Sequence, residues 1–190
     1  MDIQGKHVRL RALEPADMEK LRSYHNDPAV SALLAGWSFP ISTREQERWY
    51  ESTIGDKSNL RFAVDVPEVG FVGISTLGPI DWKDRRAYWG VLIGEKSLHG
   101  KGIATDVLMT TMRYAFEELQ LSRLDGDYLE GHEAAARLVC DRCGWVREGV
   151  RRRHAFRRNK WLDRILVGIT REEYLDLVNR TGYWTEVCQP

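Results

Sequence analysis

The stretch Leu98–Thr105, LHGKGIAT, decides how this sequence is interpreted. Two glycines flank a lysine, and the amphipathic segment 102–119 that follows has the apolar spacing of a helix. Glycine loses more conformational entropy on folding than other residues, so its use here indicates that the backbone itself has a task. Small residues let successive backbone N–H groups face one anion, and the positive end of the helix dipole adds to the attraction. The stretch predicts a phosphate-binding loop; a tight turn before a core helix is the alternative.

Two other phosphate-binding motifs fit this stretch poorly. A Walker loop needs G-x-x-x-x-G-K-[S/T], but the spacing from Gly94 to Gly100 is one residue too long, and Gly102 stands where Ser or Thr would hold magnesium. A dinucleotide-binding motif needs G-x-G-x-x-G, and Thr105 takes the place of the third glycine. A dinucleotide site is therefore the weaker alternative.

Length and composition indicate one domain over residues 1–190, with 43% hydrophobic residues to form a core. The 28 Lys and Arg balance the 28 Asp and Glu, which argues against a protein that coats nucleic acid or an acidic membrane. No signal peptide and no membrane span are expected. The odd number of cysteines, at 140, 143 and 188, favours the reducing cytoplasm.

The order of segments predicts a mixed α+β fold. The expected helices are an N-terminal one from Pro15, a second opening at Ser42 or Thr43, the long helix 102–119, a fourth at 133–142 and a last one from Arg171. The expected strands cover 7–13, 60–66, 71–77, 87–94, 123–129, 145–150, 151–156 and 163–170.

Two blocks carry a resemblance to a known family. The segment IGEKSLHGKGIATDVL resembles the acetyl-CoA loop of the GNAT N-acetyltransferase superfamily, and looks most like its RimJ/RimL-type branch. Residues 142–174, RCGWVREGVRRRHAFRRNKWLDRILVGITREEY, resemble the closing segment of that branch. The segments GKHVRLRALEPADMEKL and FPISTREQERWY fit the same branch, so the resemblance covers residues 5 to 174.

The resemblance implies the GNAT fold, a twisted, mostly antiparallel sheet flanked by helices, whose central strands splay apart. Acetyl-CoA is the implied cosubstrate, and no metal is implied. Pantetheine would complete the sheet through the backbone of Val91, Leu92 and Ile93. The pyrophosphate would bind the backbone N–H groups of the loop and first helical turn, at His99, Gly100, Lys101, Gly102, Ile103, Ala104 and Thr105.

The sequence departs from the family pattern at the candidate catalytic positions. Tyr88 stands where the branch often has a glutamate base, and tyrosine, with a pKa of about 10, is a poor base. Counting back from Gly144 places Glu133 and Ala136 at an Asn-x-x-Ser pair, so the usual thiol-protonating serine is absent. Cys140 stands where many relatives have a tyrosine acid, although a packing cysteine is the simpler interpretation. Cys140 and Cys143 form C-x-x-C without the further ligands that zinc needs.

Aromatic and basic residues suggest the acceptor side. The resemblance implies that the loop between the first two helices borders the acceptor and that the hairpin closes over it. Trp37, Phe39 and Trp89 are candidate acceptor contacts, and His154 lies in that predicted hairpin. The basic run 151–160 is expected to be a solvated hairpin rather than a nucleic-acid site. The predicted function is acetyl transfer to a primary amine, with a small molecule favoured as the acceptor. The resemblance also allows a homodimer, the assembly of many relatives. The alternatives are a protein N-terminal acetyltransferase and a CoA-binding sensor without transfer activity.

Overall fold

The structure of the protein, a computed structural model, describes residues 2–34 and 39–185. Eight strands form one sheet. They are β1 (Ile3–Gln4), β2 (Arg9–Ala12), β3 (Leu60–Val66), β4 (Gly70–Asp81), β5 (Arg86–Ile93), β6 (Arg123–Leu129), β7 (Val146–Arg157) and β8 (Lys160–Thr170).

Helices cover both faces of this sheet. The α-helices are α1 (Met18–Asn26), α2 (Pro28–Ser31), α3 (Thr43–Thr53), α4 (Ile103–Arg113), α5 (Glu133–Ala136) and α6 (Arg171–Thr181). Short 3-10 turns lie at Pro15–Asp17 and Lys96–Leu98, and π-helical turns continue α4 over Tyr114–Glu118 and α5 over Arg137–Arg142.

Local sequence signals start the helices where they were expected. Ser42 and Glu45 form a reciprocal capping box at the beginning of α3, and Thr170 and Glu173 form the same arrangement at α6. Each box satisfies backbone N–H groups that the first helical turn cannot pair internally. The cap also turns the chain sharply, so β8 passes into α6 without a loop.

The sheet order is β1-β2-β3-β4-β5-β6-β8-β7, and every pair is antiparallel except β5 with β6. That parallel pair is in register only from Arg86–Arg123 to Tyr88–Asp125. Beyond it, β5 runs on to Ile93 and β6 to Leu129 without pairing to one another. The predicted splaying of the two central strands is therefore confirmed, and it leaves a gap in the middle of the sheet.

Side-chain alternation along β5 divides the core between the two faces. Trp89 faces α4 and packs in a cluster with Leu108, Met112 and Trp145. Leu92 faces the other way and packs with residues of α1, including Leu21. One face of the sheet is consequently covered by α4 and its core, and the opposite face is covered in part by α1, α2 and α3.

A buried carboxylate ties the ends of the chain to α4. Asp106, 1% exposed, accepts hydrogen bonds from the backbone N–H groups of Lys6 (3.1 Å), His7 (2.6 Å) and Val8 (3.0 Å). It also accepts one from the Tyr183 hydroxyl at 2.9 Å. A charged acceptor with four donors holds the first turn of α4 in place against both chain ends.

The α+β class is confirmed, while some boundaries predicted from sequence were wrong. The predicted strands 145–150 and 151–156 are one continuous strand, β7, in which register shifts between Arg151 and Ala155 mimic a break. Arg153 lies in this bulge with a φ of +51°. The predicted helix 102–119 changes from α to π geometry after Arg113, and helix 133–142 changes after Ala136. The short elements β1 and α2 were not predicted, because two or four residues show no periodicity.

Candidate active site

A cavity of about 1380 Å³ opens at the gap between β5 and β6. Its walls come from β5, the loop before α4, the end of β6, α5 with its π-helical continuation, and the α1–α3 segment. The cavity is continuous from the phosphate-loop end to the helices α1 and α3, so one elongated ligand and a second small molecule can meet inside it.

The gap strand β5 supplies backbone to this cavity. Gly90, Val91, Leu92 and Ile93 all line it, and they lie beyond the last β5–β6 pair at Tyr88. Backbone N–H and C=O groups that face the gap have lost their strand neighbour, and buried groups of this kind need a partner. An extended amide-containing ligand can supply one, as an added strand would.

The loop before α4 has the backbone geometry expected of an anion site. Gly100 and Gly102 have φ of +79° and +82°, and a Cβ built on either would meet nothing within 4 Å. The N–H groups of His99 and Lys101 already donate to the carbonyls of Lys96 and Leu98, so these two predicted contacts are used within the loop.

Five other amide N–H groups of this region have no backbone acceptor among the described residues: those of Gly100, Gly102, Ile103, Ala104 and Thr105. The Thr105 hydroxyl is buried and likewise without a hydrogen-bond partner in the described chain. Since all five residues line the cavity and α4 directs its positive end toward them, the region is suited to a phosphate group.

Close packing fixes the entrance to this loop. Gly94 follows β5, and a Cβ there would lie 2.0 Å from the ring of Tyr24. Because Gly94 has no side chain, the Tyr24 ring of α1 packs directly on the backbone at the end of β5. Burial, with a smaller effect of Glu95, raises the pKa of Tyr24 to about 12, so the ring is a neutral structural support.

The structure separates the two adjacent aromatic candidates on β5. Tyr88 lies on the cavity side, half-buried, and its hydroxyl is buried without a hydrogen-bond partner in the described residues. Trp89 is 6% exposed, packs at 5.8 Å from the ring of Trp145 and donates its indole N–H to Ser75 Oγ at 3.2 Å. Packing in the core therefore accounts for the burial of Trp89, although this residue also lines the cavity.

The segment after β6 brings only part of the predicted chemistry to the cavity. Glu133 is exposed at the start of α5 and does not line it, because the first helical turn directs this side chain outward. Cys140 also lies off the wall; its thiol neighbours Tyr128, which does line the cavity. Burial raises the pKa of Tyr128, the nearby Cys140 adds to this, and Arg147 opposes it.

His132, which precedes α5, is on the cavity wall. Its Nδ1 accepts a hydrogen bond from the Ala135 N–H at 3.4 Å, and burial lowers the pKa of the imidazole. The neutral ring therefore carries its proton on Nε2 and is a hydrogen-bond donor there.

The other end of the cavity, where the acceptor contacts were predicted, is built from α1, α2, α3 and β3. Phe39 lines it and is 83% exposed, whereas Trp37 lies outside the described residues. Trp49 and Arg61 form part of the same wall, with the guanidinium carbon 5.7 Å from the ring centroid. His25 also lines it, and burial lowers the pKa of its imidazole, with a hydrogen bond to Gln46 acting in the opposite direction.

The β7–β8 hairpin reaches this end of the cavity through its tip. Arg157 donates from Nη2 to the carbonyl of Leu34 at 3.1 Å, and Leu34 lines the cavity. His154, by contrast, is exposed beside the β7 bulge and does not line it, since the bulge turns this part of the strand outward. One hydrogen bond thus joins the hairpin to this end of the cavity, and it comes from Arg157 instead of the predicted His154. Closure of the hairpin over the acceptor stays a prediction.

Sequence reasoning missed several wall residues, among them His25, Trp49, Arg61 and Tyr128. Trp49 lies in the segment FPISTREQERWY but was not singled out there, and the other three belong to none of the segments that carry the resemblance. His25, Trp49 and Arg61 come from elements before the glycine loop. Arg61 could have been suspected, because an arginine at the second position of the apolar strand LRFAVDV needs a polar outlet on one face of the sheet.

Acetyl-CoA fits the cavity on structural grounds. The unpaired β5 edge suits an amide-bearing pantetheine chain, and the five amides with the Thr105 hydroxyl suit a pyrophosphate. Among residues 2–34 and 39–185, no three His, Cys, Asp or Glu side chains come together as a metal site would require.

The sheet with its splayed centre, the glycine loop and the long cavity define an acyl-CoA-dependent acyltransferase. The chain belongs to the Acetyltransferase (GNAT) domain family, whose sequence profile matches residues 7–146. It is an N-acetyltransferase that uses acetyl-CoA.

Individual relatives are 25 to 30% identical to this chain over the aligned residues. It is 25% identical over 170 residues to the SPbeta prophage-derived uncharacterized N-acetyltransferase YokL of Bacillus subtilis, covering 90% of this chain and 93% of the relative. It is 30% identical over 152 residues to the putative ribosomal N-acetyltransferase YdaF of the same organism, and the match covers 76% of this chain and 81% of YdaF. The crystal structure of spermidine N-acetyltransferase from Vibrio cholerae in complex with CoA and spermine superposes on this chain with a TM-score of 0.81 at 25% identity. The match covers 89% of this chain and 98% of that enzyme.

The helices bear on one further expectation. None of those in the described part of the chain combines the length and apolar character needed to cross a bilayer.

Proposed function

We propose that the protein acetylates the primary amine of a small molecule, and that the acceptor binds between Tyr88, α1, α3 and the tip of the β7–β8 hairpin. The single observation that carries this proposal is the cavity itself. It joins the unpaired edge of β5 to an acceptor end that the hairpin partly covers through the Arg157–Leu34 hydrogen bond. A covered end suits a small acceptor better than a folded protein surface.

On the cosubstrate side, bound acetyl-CoA supplies the acetyl thioester. Backbone groups of Val91 to Ile93 that face the gap would hold its pantetheine chain, and the amides of Gly100 and Gly102 to Thr105 would hold its pyrophosphate. Those amides are pre-ordered by α4, whose first turn is tied down by Asp106, so little entropy is lost when an anion binds.

Transfer joins the amine nitrogen to the thioester carbonyl carbon, breaks the carbon–sulfur bond, removes one proton from the amine and leaves one on the thiol. Gap-facing N–H groups of β5 can stabilise the negative charge that develops on the carbonyl oxygen. The Tyr88 hydroxyl is on the same side of the sheet, so it can accept a hydrogen bond from the amine or from a water that carries the amine proton away.

The finer assignment to the RimJ/RimL-type branch is part of the proposal. It is supported by the two sequence blocks around 94–105 and 142–174, and by the similarity to YdaF. The spermidine N-acetyltransferase similarity supports a small-molecule amine instead of a protein N-terminus.

The test is mass-spectrometric detection of N-acetyl product after incubation with acetyl-CoA and a panel of small amines and N-terminal peptides. We expect N-acetyl product from small amines, and transfer to peptides that is slower by at least about tenfold. A tenfold difference in rate corresponds to about 1.4 kcal/mol of transition-state stabilisation, roughly one contact. Faster transfer to peptides would replace the proposal with protein N-terminal acetylation. CoA binding without any product would indicate a sensor domain.

A further inference from the structure

We propose that the preferred acceptor carries an anionic group, a carboxylate or a phosphate, which binds Arg61, and that a polycationic amine is a poor acceptor. This inference rests on the proposed function and specifies its substrate class. A polyamine needs carboxylates as partners for its ammonium groups, whereas the charged side chains of the cavity wall are mainly cationic.

The carboxylates on the wall are already engaged. Among the described residues that line the cavity, only Glu45 and Asp127 carry carboxylates. Glu45 accepts from the backbone N–H of Ser42 at 2.8 Å and from its hydroxyl at 2.6 Å. Asp127, whose side chain is 6% exposed, forms an ion pair with Arg164. Both bonds to Glu45 fall on Oε2, so among the described wall residues Oε1 of Glu45 is the carboxylate oxygen left for a cation. An acceptor with several ammonium groups would therefore lose hydration in the cavity with little carboxylate surface to compensate for it.

Cations outnumber these carboxylates. Arg61, Lys96, Arg137 and Arg142 line the same cavity. Lys96 is paired with Asp27 at 2.6 Å, and Arg61 has a longer contact of 3.3 Å with Asp56. Six more basic residues lie within 151–160 of the nearby β7–β8 hairpin, outside the cavity wall itself, and Arg157 among them contacts the wall residue Leu34. A cleft bordered by one sign of charge raises the local concentration of ligands of the opposite sign and disfavours ligands of its own.

Arg61 is the cation best placed to bind the acceptor. Strand register puts Arg61 beside Thr76 on β4, and Thr76 beside Gly90 on β5. The three residues share the cavity face, and strands lie about 4.8 Å apart, so the Cα atoms of Arg61 and Gly90 are about 10 Å apart. An acceptor whose amine reaches the gap at Gly90 can thus place an acid group a few bonds away against the guanidinium.

Arg61 retains hydrogen-bonding capacity for such a group. Its contacts with the described residues use Nη1, which donates to the Asn59 carbonyl at 3.0 Å and to Asp56 at a long 3.3 Å. Asp56 is itself occupied by the Ser58 and Asn59 N–H groups and by Asn59 Nδ2, at 2.9 to 3.0 Å. The Nε and Nη2 groups can therefore form a two-point contact with an acid group, beside the ring of Trp49.

The experiment compares matched amines that differ only in the acid group. Para-(aminomethyl)benzoate and its carboxamide have amines of similar basicity, and γ-aminobutyrate with its amide is an aliphatic pair; spermidine is the polycationic probe. Product is measured by mass spectrometry, and kcat/KM by release of the CoA thiol. We expect at least one acid to exceed its amide, and spermidine, by about tenfold, as one charge-assisted contact allows.

The variant Arg61→Gln should lower the acid-to-amide ratio of kcat/KM by about tenfold, and Arg61→Lys should retain part of the preference for the acid. The control Arg180→Gln, on the exposed face of α6, should leave the ratio unchanged. Because the ratio is taken within each variant, partial unfolding cancels. Product formation with spermidine or the amides preferred, or a ratio unchanged in Arg61→Gln, would overturn this inference and leave the proposed function standing. No N-acetyl product from any amine would overturn both.

Discussion

The two walls of the cleft are built in different ways. The cosubstrate wall is contiguous in sequence, from β5 through the glycine loop into α4, and it offers mainly backbone groups backed by a core in which Val107 and Leu108 are fully buried. The acceptor wall gathers side chains from α1, α3, β3 and a distant hairpin, and includes Phe39 at 83% exposure. A wall made of backbone can serve one invariant ligand, whereas a wall made of side chains can be changed residue by residue to suit another acceptor.

The largest expected effect concerns the support of the cosubstrate wall. Asp106→Ala leaves three backbone N–H groups and the Tyr183 hydroxyl without their shared acceptor. We expect a loss of about 3 kcal/mol in the free energy of unfolding, since buried donors lose a charged partner. Thermal unfolding should show a fall in Tm of about 6 to 12 °C.

The control for that change is Asp84→Ala, which removes an exposed carboxylate from the turn between β4 and β5. Its Tm should stay close to that of the parent protein. If the two variants were equally stable, the anchoring of both chain ends on α4 would be incorrect.

The second-largest effect is a loss of catalytic rate at Tyr88, which lies where the cosubstrate wall meets the acceptor wall. Tyr88→Phe removes a hydroxyl that lies on the cavity side and has no partner in the described chain. We expect kcat to fall by about 100-fold, the usual size of a proton-transfer contribution, while the affinity for CoA is retained. Steady-state kinetics and CoA titration separate the two quantities.

Tyr50→Phe is the matched control, because the Tyr50 hydroxyl donates to the Leu13 carbonyl at 3.4 Å, away from the cavity wall. A Tyr88→Phe enzyme with the kcat of the Tyr50→Phe enzyme would remove Tyr88 from the chemistry. The group that hydrogen-bonds the amine or its water would then have to be sought among acceptor-wall residues.

A smaller effect concerns pH and the acceptor wall. Burial lowers the pKa of His25 below its usual value of about 6.5, so near that pH the unfolded chain binds a proton that the folded protein disfavours. Stability is therefore retained above about pH 6.5 and lost as pH falls below it. His25→Asn should reduce the fall in Tm between about pH 7.5 and about pH 5.5.

The same substitution at His154, an exposed residue of β7, controls for loss of an imidazole. A fall in Tm that is identical in the parent protein and in His25→Asn would mean that the buried histidine contributes nothing to acid sensitivity.

The difference between the walls also explains how far the sequence alone could be interpreted. The glycine loop, β5 and the capping box at Ser42 are local signals, in which residue type dictates backbone geometry, and the structure has each of them. Trp89 could not be assigned from alternation alone, because period two gives opposite faces for Tyr88 and Trp89 but not which one is the core. Its bond to Ser75 settles that question.

The acceptor wall was predicted less well for the same physical reason. His25, Trp49 and Arg61 converge only through the pairing of β3 with β4 and the packing of α1 and α3, which are long-range contacts. His154 was placed at the acceptor because the hairpin was predicted to close there, but a bulge, which residue type does not reveal, turns it outward.

The central claim is that the backbone of the glycine loop holds the pyrophosphate of CoA, and calorimetric titration of CoA into Gly102→Val and Gly55→Val tests it most directly. Both glycines have left-handed φ, +82° and +78°, with nothing within 4 Å of a built Cβ, so the backbone strain is matched. We predict that Gly102→Val weakens CoA binding by at least about tenfold, the cost of losing one hydrogen bond to a charged group. The Gly55→Val protein, changed in the turn after α3, should bind CoA like the parent. Equal affinities in the two variants would contradict the assignment of the loop.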